Sequence, residues 1–452
     1  MKSLFGTDGI RGVANSEPLV PETIVKIAQA AAYYFLKNNS AKTVLIGKDT
    51  RISGYVLESS LIAGFCSFGI DVKRAKVIPT PGVAFLLKKG VADVGIVISA
   101  SHNPAIDNGI KFFSGDGFKL SDDIEKTIES IYYDGVYLKH RPPGTQMGKV
   151  YNYEPSEDEY TDFLLQNYFG PSPLKGRKIV IDCANGASYK IAPYIFRKLG
   201  AEVIAVNIYP SGLNINLKCG ALYPENLKDE VLKHKADCGI TFDGDADRVM
   251  FLDEKGSVAD GDKIISVCAA YFKEKGRLDP PAVVLTVMSN KGTENYLRGL
   301  GIEVKRSAVG DRYVVEEMMK SGIKIGGEQS GHIIFYERAN TGDGMLTAVV
   351  LLSILSDTGR PLSELTSGIK TYPQLIRNIK VKKKKEFKDI KGYPEALSWA
   401  EEKLKNNGRI LVRYSGTELL ARVMVEGENS IEINHIADVL ADKINSDIGL
   451  DS

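Results

Sequence analysis

Three carboxylates recur at every second position in Phe242-Asp243-Gly244-Asp245-Ala246-Asp247-Arg248, separated only by glycine and alanine. In an extended or looped backbone, residues two apart project to one side, and small spacers let their side chains converge. Like charges at that spacing repel, and a hard divalent cation is the natural compensation. Three carboxylates also leave an octahedral magnesium ion open positions, which phosphate oxygens commonly fill. An EF-hand does not fit. Glu254 falls at the last loop position, but Arg248 stands where that loop needs glycine, and Val249-Met250-Phe251-Leu252 reads as a buried strand. An acidic surface turn is the plainer alternative, and the apolar flanks weigh against it.

A second stretch, Gly95-Ile96-Val97-Ile98-Ser99-Ala100-Ser101-His102-Asn103-Pro104, reads as a buried strand that stops in small and turn-forming residues. Ser101 then lies just past the C-terminal end of a strand, where open α/β sheets place their chemistry. A serine there can attack acyl groups or carry phosphate. Acyl transfer calls for a sharp G-x-S-x-G elbow and a histidine held by a carboxylate. The chain has five histidines (His102, His140, His234, His332, His435) and no such elbow. A phosphoseryl group beside a cation-binding triad is the more coherent chemistry. Lys111, in Asn108-Gly109-Ile110-Lys111, is close enough in sequence to act as base or phosphate counter-ion. A solvated lysine is its ordinary alternative.

Two further stretches carry polar side chains between glycines. Gly326-Gly327-Glu328-Gln329-Ser330-Gly331-His332 offers donors and acceptors suited to a polyhydroxylated or amino-sugar ligand. Arg413-Tyr414-Ser415-Gly416-Thr417-Glu418, with Arg422 beyond, reads as a phosphate cradle or as a plain hairpin turn. In the cradle reading Gly416 admits the anion, Ser415 and Thr417 donate hydroxyls, and Arg413 and Arg422 pair with it.

The elements that must position these residues repeat. Thr43 to Ile46 is a strand ending in Gly47-Lys48-Asp49-Thr50-Arg51; a helix follows over about Ser53 to Phe68, and Gly69-Ile70-Asp71-Val72-Lys73 begins a strand. The same unit returns as Lys178 to Asp182, Ser188 to Leu199 and Gly200 to Ile204, and again as Val283 to Val287, Thr293 to Leu300 and Gly301 to Lys305. The near-identical joints at Gly69, Gly200 and Gly301 predict a triplicated α/β domain rather than three unrelated helix ends. Pro21 opens an earlier helix with Ile24, Ile27, Ala31 and Tyr34 on one face. After Thr366-Ser367-Gly368 come strands at Ile376 to Val381, Gly408 to Tyr414 and Arg422 to Glu426, and a helix from about Ser430. The expected domains are 1–150, 151–253, 254–367 and 368–452, the last a smaller α+β domain.

At 452 residues the chain exceeds a single core. Its net charge of +1 gives no electrostatic case for nucleic acid or a membrane surface as partner. The run Val381-Lys382-Lys383-Lys384-Lys385 reads as a solvated strand end. Five scattered cysteines without a CxxC pair suit a reducing compartment. No apolar run approaches ~20 residues, and the N-terminus lacks the apolar core of a signal peptide, so a cytoplasmic protein is expected.

In order along the chain, Phe5 to Gly12, Ile98 to Pro104, Asp243 to Arg248, Gly327 to His332 and Arg413 to Glu418 resemble the signature loops of the α-D-phosphohexomutase superfamily. The resemblance implies three similar α/β domains with mixed sheets around a central cleft, plus a smaller C-terminal domain. It implies that Ser101 is phosphorylated and that Asp243, Asp245 and Asp247 hold one Mg²⁺ with a phosphate oxygen on Ser101. Arg11, His102 and Lys111 would serve phosphate transfer, Lys111 as general base. Glu328, Gln329, Ser330 and His332 would read the sugar, while Arg413, Ser415, Gly416, Thr417 and Arg422 hold the non-reacting phosphate. Glu328-Gln329-Ser330 resembles the glucosamine branch. The expected reaction interconverts glucosamine 6-phosphate and glucosamine 1-phosphate through the 1,6-bisphosphate, feeding UDP-N-acetylglucosamine synthesis. Glucose or mannose phosphates, or phosphosugar binding without catalysis, are the alternatives. The resemblance also points to a homodimer. Leu419 in place of proline, Ala308 in place of lysine, and Cys219 to Pro224 depart from the family pattern.

Overall fold

A computed structural model describes residues 4–6, 8–405, 407–415 and 419–450. Gly416 and Thr417 of the expected phosphate cradle lie outside the described residues.

Each of the three repeats builds a sheet on one plan. In the first, Thr43–Lys48 lies between the parallel strands Asp71–Val77 and Val94–Ile98, and Asp107–Ser114 runs antiparallel to Val94–Ile98. In the second, Lys178–Asp182 lies between Glu202–Val206 and Cys238–Phe242, with Val249–Leu252 antiparallel to the latter. In the third, Ala282–Thr286 lies between Glu303–Ser307 and Ile325–Gly327, with Ile333–Phe335 antiparallel to the latter. Ile10–Val13 extends the first sheet beside Asp107–Ser114, and Val150–Asn152 extends it beside Asp71–Val77. The sheets are mixed, as expected. Val94–Ile98, Cys238–Phe242 and Ala282–Thr286 are buried at every residue, which is why they read as continuous apolar runs rather than alternating ones.

The connection from the last parallel strand to the antiparallel one therefore recurs three times. It spans 99–106 in the first sheet, 243–248 in the second and 328–332 in the third. The candidate serine, acidic and sugar loops are one topological position used three times, each at the carboxyl end of a parallel strand.

The helices follow the sequence pattern closely. Pro21–Lys37 begins on proline and buries Ile24, Ile27 and Ala31, with Tyr34 partly buried against the same core and Phe35 fully buried in it. The helix expected from Ser188 is shorter, Ile191–Lys198, because Ala184 and Asn185 adopt left-handed φ values of 52° and 48° and the chain turns before it winds.

The chain divides into two compact units, one comprising 1–288 and 302–366, the other 289–301 and 367–452. Lys291–Gly299, the helix of the third repeat, groups with the second unit, where Asn290 Nδ2 donates to the Tyr372 carbonyl at 2.9 Å and the Lys291 N–H to Glu426 Oε1 at 2.7 Å. That unit is an antiparallel sheet in the order Gln374–Lys380, Leu420–Gly427, Gly408–Tyr414. Val423, Val425, Ile436 and Leu440 are in its core, the last two from the helix Ser430–Ile448. All five cysteines are free, and among the described residues no helix is long and apolar enough to cross a membrane.

Candidate active site

Ser101 is only 2% exposed and holds a left-handed φ of 51°, a conformation worth roughly 1–2 kcal/mol of strain in a residue other than glycine. Its Oγ donates to Asp243 Oδ2 at 2.6 Å, so the serine and acidic loops, 142 residues apart in sequence, meet directly. Gly244 makes that approach possible: a Cβ there would lie 2.6 Å from the Ser101 carbonyl oxygen. His102 Nδ1 lies 3.4 Å from Ser101 Oγ, and burial, then Arg248 and Arg11, pull its pKa down to about 4, leaving the ring neutral.

The acidic loop folds as its spacing predicts. Asp243, Asp245 and Asp247 are all buried, with one oxygen of each within 4.8 Å of the others. Thr80 Oγ1 donates to Asp245 Oδ2 at 2.6 Å and the Arg248 N–H to Asp243 Oδ1 at 3.2 Å. Asp245 Oδ1 and Asp247 Oδ1 are buried without any hydrogen-bond partner. Burial, then Asp247 and Asp245, push the Asp243 carboxyl well above the ordinary carboxylate range. Burial acts on Asp247 the same way, but His332, Lys111 and Arg248 together hold it well below that range. Two orphaned oxygens in a set of hard donors fit a divalent cation.

Around the triad runs a closed circuit in which carboxylates alternate with ammonium or imidazole groups. Lys111 Nζ lies 3.3 Å from Asp8 Oδ2, Asp8 pairs with Lys119, and Lys119 Nζ lies 2.6 Å from Asp311 Oδ2. Asp311 Oδ2 lies 3.8 Å from His332 Nε2, His332 Nδ1 lies 3.6 Å from Asp247 Oδ2, and Asp247 Oδ2 lies 3.9 Å from Lys111 Nζ. The Gly342 N–H donates to His332 Nε2 at 3.0 Å, which assigns the neutral tautomer with its proton on Nδ1, facing Asp247. Burial would lower the Lys111 pKa, yet Asp8, Asp245 and Asp247 outweigh it and keep the ammonium charged. Arg11 pairs with Asp8, and its Nη1 lies 3.4 Å from the Ala100 carbonyl oxygen.

These groups open on a cleft of about 300 Å³, lined among others by Asp8, Arg11, Ser101, Asp247, Glu328 and His332. Glu328 accepts from the Gly310 N–H at 3.0 Å and from Ser330 Oγ at 3.0 Å. Gln329 turns elsewhere: its Nε2 donates to Asp260 Oδ2 at 3.1 Å, and it is not among the residues lining the cleft. Ala308 is exposed, and its carbonyl accepts from Ser307 Oγ at 3.0 Å.

In the second unit, Arg413 and Arg422 are paired across adjacent strands, and the Ser415 N–H donates to the Leu420 carbonyl at 2.8 Å. Lys382, Lys383 and Lys384 of the basic run are exposed, and Lys384 Nζ donates to the Ser415 carbonyl at 2.6 Å rather than standing merely solvated.

Several residues of the first-unit site carried no individual signal in the sequence. Asp8 lay inside the Phe5 to Gly12 stretch, whereas Asp311, Lys119 and Thr80 had no motif. Arg51 ended a strand in the manner of Ser101, and strand-end position was the one available cue.

The sequence matches the Phosphoglucomutase/phosphomannomutase family throughout: alpha/beta/alpha domain I over residues 2–136, domain II over 158–256, domain III over 260–372 and the C-terminal domain over 377–443. The phosphoglucosamine mutase of Geobacter metallireducens is 48% identical over 449 residues, spanning 99% of this chain and 100% of its own. The chain belongs to the phosphoglucosamine mutase family. Another member of that family, from Syntrophotalea carbinolica, is 46% identical over 450 residues, covering 99% of this chain and 98% of its own. Membership makes the chain an enzyme, an isomerase of the phosphohexomutase class. The fold extends beyond the phosphoglucosamine mutases. A phosphoglucomutase/phosphomannomutase family protein from Burkholderia thailandensis superposes with a TM-score of 0.80 at 22% identity, each chain covered in full. The Aspergillus fumigatus N-acetylphosphoglucosamine mutase, solved with GlcNAc-6P and magnesium, superposes with a TM-score of 0.68 at 18% identity over 98% of this chain and 95% of its own.

Proposed function

We propose that the enzyme interconverts glucosamine 6-phosphate and glucosamine 1-phosphate, with Ser101 as the phosphate carrier. The observation that supports this most is the 2.6 Å contact between Ser101 Oγ and Asp243, inside a buried acidic set with two unpartnered oxygens. Asp243, Asp245 and Asp247 would hold a magnesium ion, joined by an oxygen of the Ser101 phosphoryl group. When bound, that ion neutralises phosphoryl charge and raises the electrophilicity of phosphorus.

In the first transfer the 1-hydroxyl of the 6-phosphate sugar attacks phosphorus and the bond from phosphorus to Ser101 Oγ breaks. The proton lost by the hydroxyl is matched by the proton Oγ regains, which in the structure is donated to Asp243 Oδ2. The 1,6-bisphosphate then turns over, and its 6-phosphoryl group returns to Ser101. Lys111, the expected general base, is held as an ammonium by three carboxylates, which favours a counter-charge role beside the transferring group. Arg11 adds a second cation on the same side. Glu328 and Ser330 are assigned to sugar hydroxyls, and Arg413, Ser415, Gly416, Thr417 and Arg422 to the non-reacting phosphate.

Glucosamine is favoured by the relatives' shared activity. The turn of Gln329 toward Asp260 favours a broader range, since the residue that distinguishes the glucosamine branch is tied away from the cleft. A coupled assay for the 1-phosphate, run beside glucose and mannose phosphates with and without bisphosphate, separates the two. Ser101→Ala is expected to lose at least about 1,000-fold in turnover and to lack the phosphoprotein mass. Full turnover by that variant would defeat the mechanism.

A further inference from the structure

We propose that Arg51, seconded by Asn216, is the positioning residue that fixes the phosphate-carrying serine against the acidic triad. Arg51 is wholly buried, at 0% exposure, and each of its five N–H donors has an acceptor. Nε donates to Asp49 Oδ2 at 2.8 Å, Nη2 to the carbonyls of Ser101 at 3.0 Å and Asn103 at 2.8 Å, and Nη1 to those of Asp107 at 3.1 Å and Pro104. Three carbonyls of the serine loop and that of Asp107, which opens the next strand, thus converge on one planar fork, a set that only a guanidinium spans.

The same pair grips the other side of Ser101. Asp49 Oδ2 accepts from Ser99 Oγ at 2.7 Å, and Ser99 Oγ accepts from the Ser101 N–H at 2.9 Å. The peptide groups before and after Ser101 are therefore both anchored to Asp49–Arg51, which holds the residue in its left-handed conformation. Asn216 Nδ2, from the second repeat, donates to the Ser101 and Asn103 carbonyls at 2.8 and 3.0 Å. It registers the serine loop to the sheet that carries the triad. Arg51 touches neither Ser101 Oγ nor the three aspartates, so its influence on turnover passes through the loop.

The test is steady-state and single-turnover kinetics of Arg51→Lys and Arg51→Ala in the full chain. Lysine keeps the charge but cannot span the four carbonyls. Both variants are expected to lose about 100-fold in kcat with KM for the sugar phosphate unchanged. Guanidinium ion at millimolar concentration, which re-supplies the missing fork to its cavity, is expected to restore about tenfold to Arg51→Ala, while the kcat loss at unchanged KM separates positioning from binding. Unchanged kcat in Arg51→Lys, a loss carried by KM alone, or absence of rescue in folded Arg51→Ala each overturns the inference. Should neither variant fold, Asn216→Ala decides: a kcat loss of about tenfold with KM unchanged supports it, and unchanged kcat overturns it. The inference rests on Ser101 as carrier. If that reading fails, Ser101→Ala stays active; if only this one fails, Ser101→Ala is inactive while Arg51→Lys keeps its kcat.

Discussion

Arg413 and Arg422 face each other in register across Gly408–Tyr414 and Leu420–Gly427, two cationic side chains on directly opposed positions of one antiparallel pair. Like charges so placed destabilise a sheet by roughly 0.2–1 kcal/mol, and Arg422 Nε is buried with no hydrogen-bond partner. An anion between them removes both defects. Arg422→Gln is therefore expected to leave thermal stability unchanged or slightly raised while increasing KM for the sugar phosphate at least about tenfold. Lower stability with an unchanged KM would make the pair a structural feature of the sheet instead.

The acidic triad predicts a reversal of sign. Without a cation, Asp243 is a buried carboxyl crowded by Asp245 and Asp247, so Asp243→Asn is expected to stabilise the protein at neutral pH. With magnesium at a hundredfold excess over its dissociation constant, the unsubstituted protein gains about 2.7 kcal/mol and becomes the more stable of the two. Thermal unfolding in chelator and in magnesium measures both. If the Asp243→Asn variant gains as much from magnesium as its parent, the assignment sinks.

A third expectation concerns pH. Asp343 caps the helix Gly344–Thr358, is wholly buried against Tyr160, and burial raises its pKa to about 6. Its folded value lies above the unfolded one of 3.8, so the folded state binds the extra proton between those values. Stability from this group is complete below pH 3.8 and is lost as pH rises through about 6, a change of roughly 3 kcal/mol. Asp343→Asn keeps an acceptor at the cap and is expected to flatten that slope. Denaturant unfolding between pH 4 and 7 would show it, and an unchanged slope would assign the dependence to other groups.

The acidic triad was legible because an alternation of carboxylates with small residues maps directly onto one side of an extended chain. Ser101 was legible as a strand-end residue, and the repeat was legible in its glycine joints. Arg51 was not, because the convergence of four carbonyls on one guanidinium belongs to the path of another loop, 50 residues away. Lys119 was equally silent: one lysine after a turn acquires meaning only when Asp8 and Asp311 close on it. Gln329 shows the opposite limit. Its identity suggested a ligand contact, and the backbone geometry of its loop directs its amide to Asp260 instead. The grouping of Lys291–Gly299 with the second unit was hidden because its partners, Tyr372 and Glu426, are distant in the chain.

The serine, acidic and sugar loops occupy the same connection in three copies of one sheet. Such an arrangement makes the chemistry modular. Each loop is set on its own pair of strands, in the manner of tool heads on identical handles, and the three meet through Ser101 with Asp243 and His332 with Asp247. Grafting residues 328–331 from a relative that prefers another hexose, with His332 and its contact to Asp247 kept, is therefore expected to change selectivity while leaving turnover on a shared substrate intact.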